Sequence, residues 1–272
     1  MEILNKAGRY FYGIGITGIG IQHWVYRDFR PVILPEWPLW MHKFPTEPGG
    51  AGSALIFAAI MICLSKKPRE GALITGGVML LFFLAFHLPY MVFVSPNTAS
   101  PGAWSNPLKL LALSGGAFAI AGSLPLREPA ANKISSLYRF LELFIPWGRV
   151  FFSITMIVFG IDHFIYTEFV ASLVPAWIPV HNFWTYFAAV ALIGSGVCII
   201  LKIKLRLVAL LLGIMIFLWL VLLHIPRAVV ALPSDNGNEL TSVFEALAFS
   251  GVAFVIAWTA ANKVKKTSPE PV

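Results

Sequence analysis

The stretch Arg206–Pro226 reads RLVALLLGIMIFLWLVLLHIP, and no charged residue interrupts it after Arg206. Wound as an α-helix at about 1.5 Å per residue, it spans about 30 Å, the thickness of a bilayer's hydrocarbon core. Blocks of the same kind recur along the chain. They predict helices at 9–26, 45–64, 71–94 and 106–124, and a second set at 148–168, 181–201, 206–226 and 241–260. The whole chain is 58% hydrophobic and only 12% charged, whereas soluble domains carry about 25% charged residues. The expected fold is all-α and integral to the membrane, with eight transmembrane helices.

Charge placement gives an orientation. The net charge of +7 sits in short clusters between apolar blocks, not in a continuous basic stripe. Membrane topology explains that pattern better than a polyanion does, so nucleic acid is not an expected partner. Fifteen of the twenty Lys and Arg fall in the leading segment, the loops after helices 2, 4 and 6, and the C-terminal tail. By the positive-inside rule both termini are expected in the cytoplasm of a multi-pass cell-membrane protein. Lys6 and Arg9 ahead of the first apolar block read as an uncleaved signal-anchor. Cys63 and Cys198 both lie inside apolar blocks, and no CxxC exists, so neither a disulfide framework nor thiol redox chemistry is suggested.

The two sets of helices share a register. Arg9–Phe29 aligns with Arg149–Phe169 at an offset of 140, matching Gly20 with Gly160, His23 with His163, Tyr26 with Tyr166 and Phe29 with Phe169. Pro35 and Trp37 continue the register to Pro175 and Trp177. His87-Leu88-Pro89 meets His224-Ile225-Pro226 at 137, and Ser114-Gly115-Gly116-Ala117-Phe118 meets Ser250-Gly251-Val252-Ala253-Phe254 at 136. With an even number of helices per copy, both enter from the same side, as two parallel-repeated four-helix bundles. The expected units are 1–124, a cytoplasmic linker at 125–147, a second unit at 148–262, and a disordered tail at 263–272. Within the linker, Ile134, Leu137, Leu141, Phe144 and Ile145 recur at helical spacing beside Lys133, Arg139 and Glu142, predicting a helix on the membrane surface.

All six histidines map to the outer side in three pairs: His23/His163, His42/His181 and His87/His224. Ionisable groups within a membrane are costly and usually face a bundle interior or a cavity. Pro89 and Pro226 sharpen the expectation, because neither can donate to the helix ladder and each frees a backbone acceptor near a histidine. The candidate pocket residues are His23, His87, Asp162, His163, Tyr166, His224, Arg227 and Glu245. A pocket of this kind could take a quinone head group, a haem or a metal. Structural readings stand beside the functional ones. Interfacial histidines can simply meet water. Ser242-Val243-Phe244-Glu245 fits a capping box, which would make Glu245 a helix cap. Lys109 is expected to snorkel to the interface, and Arg227 to pair with Asp162 or a lipid phosphate. Gly13-Ile14-Gly15-Ile16-Thr17-Gly18 matches GxGxxG but lacks a preceding strand, so close helix packing explains it better than a dinucleotide.

Gly160-Ile161-Asp162-His163-Phe164-Ile165-Tyr166, then Phe169 and Val174-Pro175-Ala176-Trp177-Ile178-Pro179, resembles the DoxX-like membrane protein family, and His224-Ile225-Pro226 fits the same likeness. The resemblance implies a four-helix membrane unit. For some relatives it implies a role beside quinone-linked oxidation, as the small membrane subunit of thiosulfate:quinone oxidoreductase. It carries over no catalytic residues. Two functions are therefore expected: an accessory membrane component acting through the lipid bilayer or membrane partners, or a redox-linked subunit binding quinone, haem or metal in outward-facing pockets.

Overall fold

The computed structural model describes residues 2–36, 38–39, 47–125, 134–231 and 235–267. Helix α1 runs Glu2–Tyr26, α2 Glu47–Cys63, α3 Pro68–Phe82 and α4 Ser105–Ser123. The connecting helix α5 covers Ile134–Glu142. The second half continues with α6 Ile145–Ile165, α7 Thr167–Leu173, α8 His181–Leu201, α9 Leu205–Trp219, α10 Ile225–Ala231 and α11 Asn238–Thr267. The last helix thus extends into the stretch expected to be a tail; residues 268–272 lie outside the described residues, as does His42.

The helix after α3 and the one after α9 widen at matching places. Phe83–His87 and Leu220–His224 form π turns, in which Leu88 N–H donates to the Phe83 carbonyl and Ile225 N–H to that of Leu220. Each turn ends just before a proline (Pro89, Pro226). Where the next N–H is missing, a wider turn re-pairs the ladder, and both histidines sit on the bulge.

Eight transmembrane helices in two four-helix bundles were the expectation from the sequence, and the fold corrects it. Among the described residues five helices are long and apolar enough to cross a membrane: Pro68–Val94, Ile145–Ile165, His181–Leu201, Leu205–Ala231 and Asn238–Ala260. Helix α2 is too short at 17 residues. Helix α1 opens with Glu2, Lys6 and Arg9 and is studded with glycine, and α4 mixes Lys109, Ser114 and small residues into its apolar run. Nor do the halves form separate bundles. Helix α1 packs along α11, and α6 packs along α4, so each half is closed by a helix of the other. Helices α4 and α11 lie side by side in the centre. The most apolar window of α11 is 67% buried, against 22% for the α3 and α9 spans, which face outward.

Glycines make the interlock possible. A Cβ on Gly8 would lie 2.5 Å from the Gly251 carbonyl oxygen, and one on Gly148 2.6 Å from that of Gly115. Only a residue without a side chain lets backbones meet so closely. Buried hydroxyls then tie the neighbours. Ser114 Oγ donates to the Gly76 carbonyl at 2.8 Å, and Ser250 Oγ to that of Gly213 at 2.9 Å. Tyr12 Oη donates to the Leu113 carbonyl at 2.8 Å, joining α1 to α4.

The outer surface is apolar: Leu81, Leu84, Phe93, Phe187, Val190, Leu211 and Leu218 are all exposed. Such a surface is stable only against lipid, with the backbone satisfied inside helices. This is a multi-pass membrane protein. Helix α5 turns Leu137 and Phe140 outward and buries Leu141. It is held by Arg69, which donates to Glu142 Oε1 at 2.9 Å and, through Nη1, to the carbonyls of Ala121 (2.6 Å) and Leu124 (3.0 Å) at the end of α4.

Candidate functional site

The second half carries a partly open cavity of about 250 Å³, to which Lys109 of α4 also contributes. Its walls are mainly apolar and come from every helix around it. Helix α6 contributes Met156 and Phe159, α8 Trp184 and Leu192, α9 Met215 and Trp219, and α11 Ala246 and Phe249. Val170 and Leu173 of α7 close one side. The polar lining comprises Lys109, His163, Thr185, His224, Ser242 and Glu245. Three of the candidates read from the sequence therefore meet here: His163, His224 and Glu245.

The electrostatic centre is an ion pair that the sequence reading missed. Lys109 Nζ of α4 lies 2.8 Å from Glu245 Oε2 of α11. The carboxylate is almost fully buried, while the ammonium side chain is 22% exposed. Glu245 is not the helix cap it was expected to be. Helix α11 begins at Asn238, so Glu245 stands two turns inside, and Asp235 does the capping, accepting the N–H of Gly237 at 2.9 Å and of Glu239 at 2.6 Å. Lys109 does not simply reach for the interface but enters the cavity. One signal could have found the pair: positions 109 and 245 share the 136 offset, and both carry a charge inside an otherwise apolar helix.

His163 is oriented by its own helix. Its Nδ1 lies 2.7 Å from the Phe159 carbonyl, which can only accept, so the neutral ring carries its proton on Nδ1 and leaves Nε2 as an acceptor. His224 Nδ1 and Glu245 Oε1 are buried without a protein partner.

The other candidates lie elsewhere. Tyr166 Oη bonds Ser100 Oγ at 2.7 Å and accepts the Gly102 N–H at 3.4 Å, which links the α6 end to the segment before α4. Arg227 pairs with Glu239, not with Asp162; its Nε donates to Glu239 Oε2 at 3.2 Å. Asp162 is half-buried, outside the cavity lining, and its Oδ1 has no partner. His23 and His87 belong to the first half, where the chain packs on itself. Arg30, Val32 and Leu34 are each 1% exposed. The Arg30 backbone N–H donates to His23 Nε2 at 3.3 Å, while His23 Nδ1 donates to the Ile19 carbonyl at 2.8 Å. Arg30 Nη1 donates to the Asn236 carbonyl at 2.7 Å, and its guanidinium lies 4.7 Å from the Tyr26 ring centre. Burial pulls that guanidinium below its ordinary range, and Asp28 opposes the fall. The His87 ring lies against the backbone of Val32 and Ile33.

Among the described residues no three His, Cys, Asp or Glu side chains converge as metal ligands would. The arrangement is instead that of an apolar pocket with one polar end, which suits an amphipathic small molecule.

Fold and pocket together define an all-α, multi-pass membrane protein with a ligand-sized cavity in its second half. Residues 144–225 match the DoxX family model, so the chain is DoxX-like over α6 to α9, the region that carries most of the cavity wall. No curated protein and no solved structure matches the chain.

Proposed function

We propose that this protein is an accessory, non-catalytic component of the membrane that holds one small lipid-soluble molecule in its second half. The observation that carries the reading is the cavity itself, apolar along its walls and charged at one end by the Lys109–Glu245 pair. A lipid-soluble ligand would lay its body against Trp184, Trp219 and Phe249 and its head against the polar end. The test is purification in mild detergent, solvent extraction and mass spectrometry. The expected result is a co-purifying molecule near one per chain, lost when Ala188→Phe fills the cavity. Equal lipid yields from both proteins would overturn the reading.

A second reading, a redox-linked subunit that presents a quinone to a membrane partner, is favoured by the DoxX match over the cavity-bearing half. A lipid-soluble quinone would use the same walls, and titration with decylubiquinone tests it. The matching offsets, the paired π turns and the equivalent Ser114 and Ser250 bonds support descent of the two halves from one duplicated unit. The clustering of Lys and Arg supports a cytoplasmic placing of both chain ends, to be checked with reporter fusions at each end.

A further inference from the structure

At the polar end of the cavity three side chains have their protons committed and present acceptors. Thr185 Oγ1 already donates to the His181 carbonyl at 3.1 Å, and Ser242 Oγ to that of Asn238 at 3.3 Å, so neither hydroxyl has a proton left for a ligand. His163 Nδ1 is committed to Phe159, which leaves Nε2 as an acceptor. Glu245 Oε2 is engaged by the Lys109 ammonium, and its Oε1 is buried without a partner. Lys109 and one nitrogen of His224 supply protons among these six side chains, beside the indole N–H groups of Trp184 and Trp219 in the walls.

The first half displays the missing interaction with its own chain. His23 stands at the register position of His163 and makes the same bond to its helix, Nδ1 to the Ile19 carbonyl. There Nε2 is satisfied by a donor, the backbone N–H of Arg30. The counterpart of Arg30 is Val170, whose own N–H is used within its helix on the Tyr166 carbonyl, 2.9 Å away. His163 thus has the acceptor geometry of His23 without the chain segment that serves it.

We infer that the cavity selects a neutral amphiphile bearing a hydroxyl group, which donates to His163 Nε2 or Glu245 Oε1 and accepts from Lys109 or His224. This rests on the reading of the cavity as a ligand site and deepens it. A hydroxyl supplies both roles in one atom, whereas a ketone, ester or ether supplies only an acceptor to a wall already rich in acceptors. Such a head could belong to an alcohol-headed lipid or a phenol; the donating hydroxyl is what they share.

The test compares 4-hexylphenol with its methyl ether, 4-hexylanisole, which matches it in shape but cannot donate. Binding to the full chain in nanodiscs is followed by calorimetry. The phenol should bind about tenfold more tightly, the worth of one well-made hydrogen bond of about 1.4 kcal/mol. That preference should fall to about twofold or less in His163→Phe and in the charge-free double variant Lys109→Met/Glu245→Leu, each shown by thermal unfolding to remain folded. Equal binding of phenol and ether by the unmodified chain would overturn the inference and leave the ligand-holding reading standing. Absence of binding by either probe would overturn both. A preference undiminished in both variants would also overturn it, since the donor would then be read elsewhere.

Discussion

Phe29 is 6% exposed and Phe169, its counterpart at the 140 offset, is 65% exposed. The residues that follow diverge in the same sense. In the first half Arg30, Ile33 and Leu34 are buried, with Arg30 against His23 and the Ile33 backbone against His87. In the second half Val170, Leu173 and Val174 belong to α7 or its end and form the rim of a cavity. The helical frames agree closely: the π turns, the histidine bonds to the preceding turn and the serine bonds between helices all recur. The frame is therefore shared, and the two segments differ in what they bind. Arg30 has a carbonyl to bind at Asn236, a ring to lie on at Tyr26 and a histidine to take its N–H. Val170 offers none of these, and its segment coils into a helix instead.

The strongest way to break the comparison is through the ion pair at the junction. Lys109→Met leaves the Glu245 carboxylate buried and unpaired, and should cost about 3–5 kcal/mol in thermal unfolding in detergent. Adding Glu245→Leu should recover most of that loss. If the double variant is no better than the single one, the pair is not what Lys109 contributes.

The two close helix crossings come next. Gly8→Val and Gly148→Val each drive a side chain into a facing backbone, and each should cost about 1–3 kcal/mol. Equal costs would show that α1 on α11 and α6 on α4 are equivalent joints; a cost in only one would separate them.

Arg30→Met sharpens the contrast directly. It removes the donor to the Asn236 carbonyl and should cost about 1–2 kcal/mol, whereas Val170→Met should change stability by about 0.5 kcal/mol or less while weakening ligand binding. A second probe site appearing in calorimetry of the Arg30→Met protein would show that Arg30 occupies space beside His23 that a ligand can take.

The smallest effect tests equivalence again. Ser114→Ala and Ser250→Ala should each lose about 0.5–1 kcal/mol, a typical buried hydroxyl bond between helices, and the two losses should agree.

Much of this was legible in the chain. Apolar blocks of bilayer length required helices in lipid, and the His-x-Pro spacing at 87–89 and 224–226 pointed to disturbed helix ladders, which the π turns bear out. Helix length and direction placed His163, His224 and Glu245 near one another, and all three line one cavity, together with Lys109 of α4. Glu245 was misread as a cap because Ser242 and Glu245 have capping-box spacing, while the true start, Asp235 to Asn238, lies a turn earlier.

Residue order determined the class of protein, an all-α chain in the membrane, since that depends on local periodicity and transfer free energy. Only the tertiary structure decided that five helices among the described residues meet the length and apolarity of a membrane span, that α1 leans on α11 and α6 on α4, and that Lys109 reaches Glu245 across the centre. Such pairings depend on which surfaces fit, and a glycine-lined groove accepts a partner from either half equally well until the whole chain is packed.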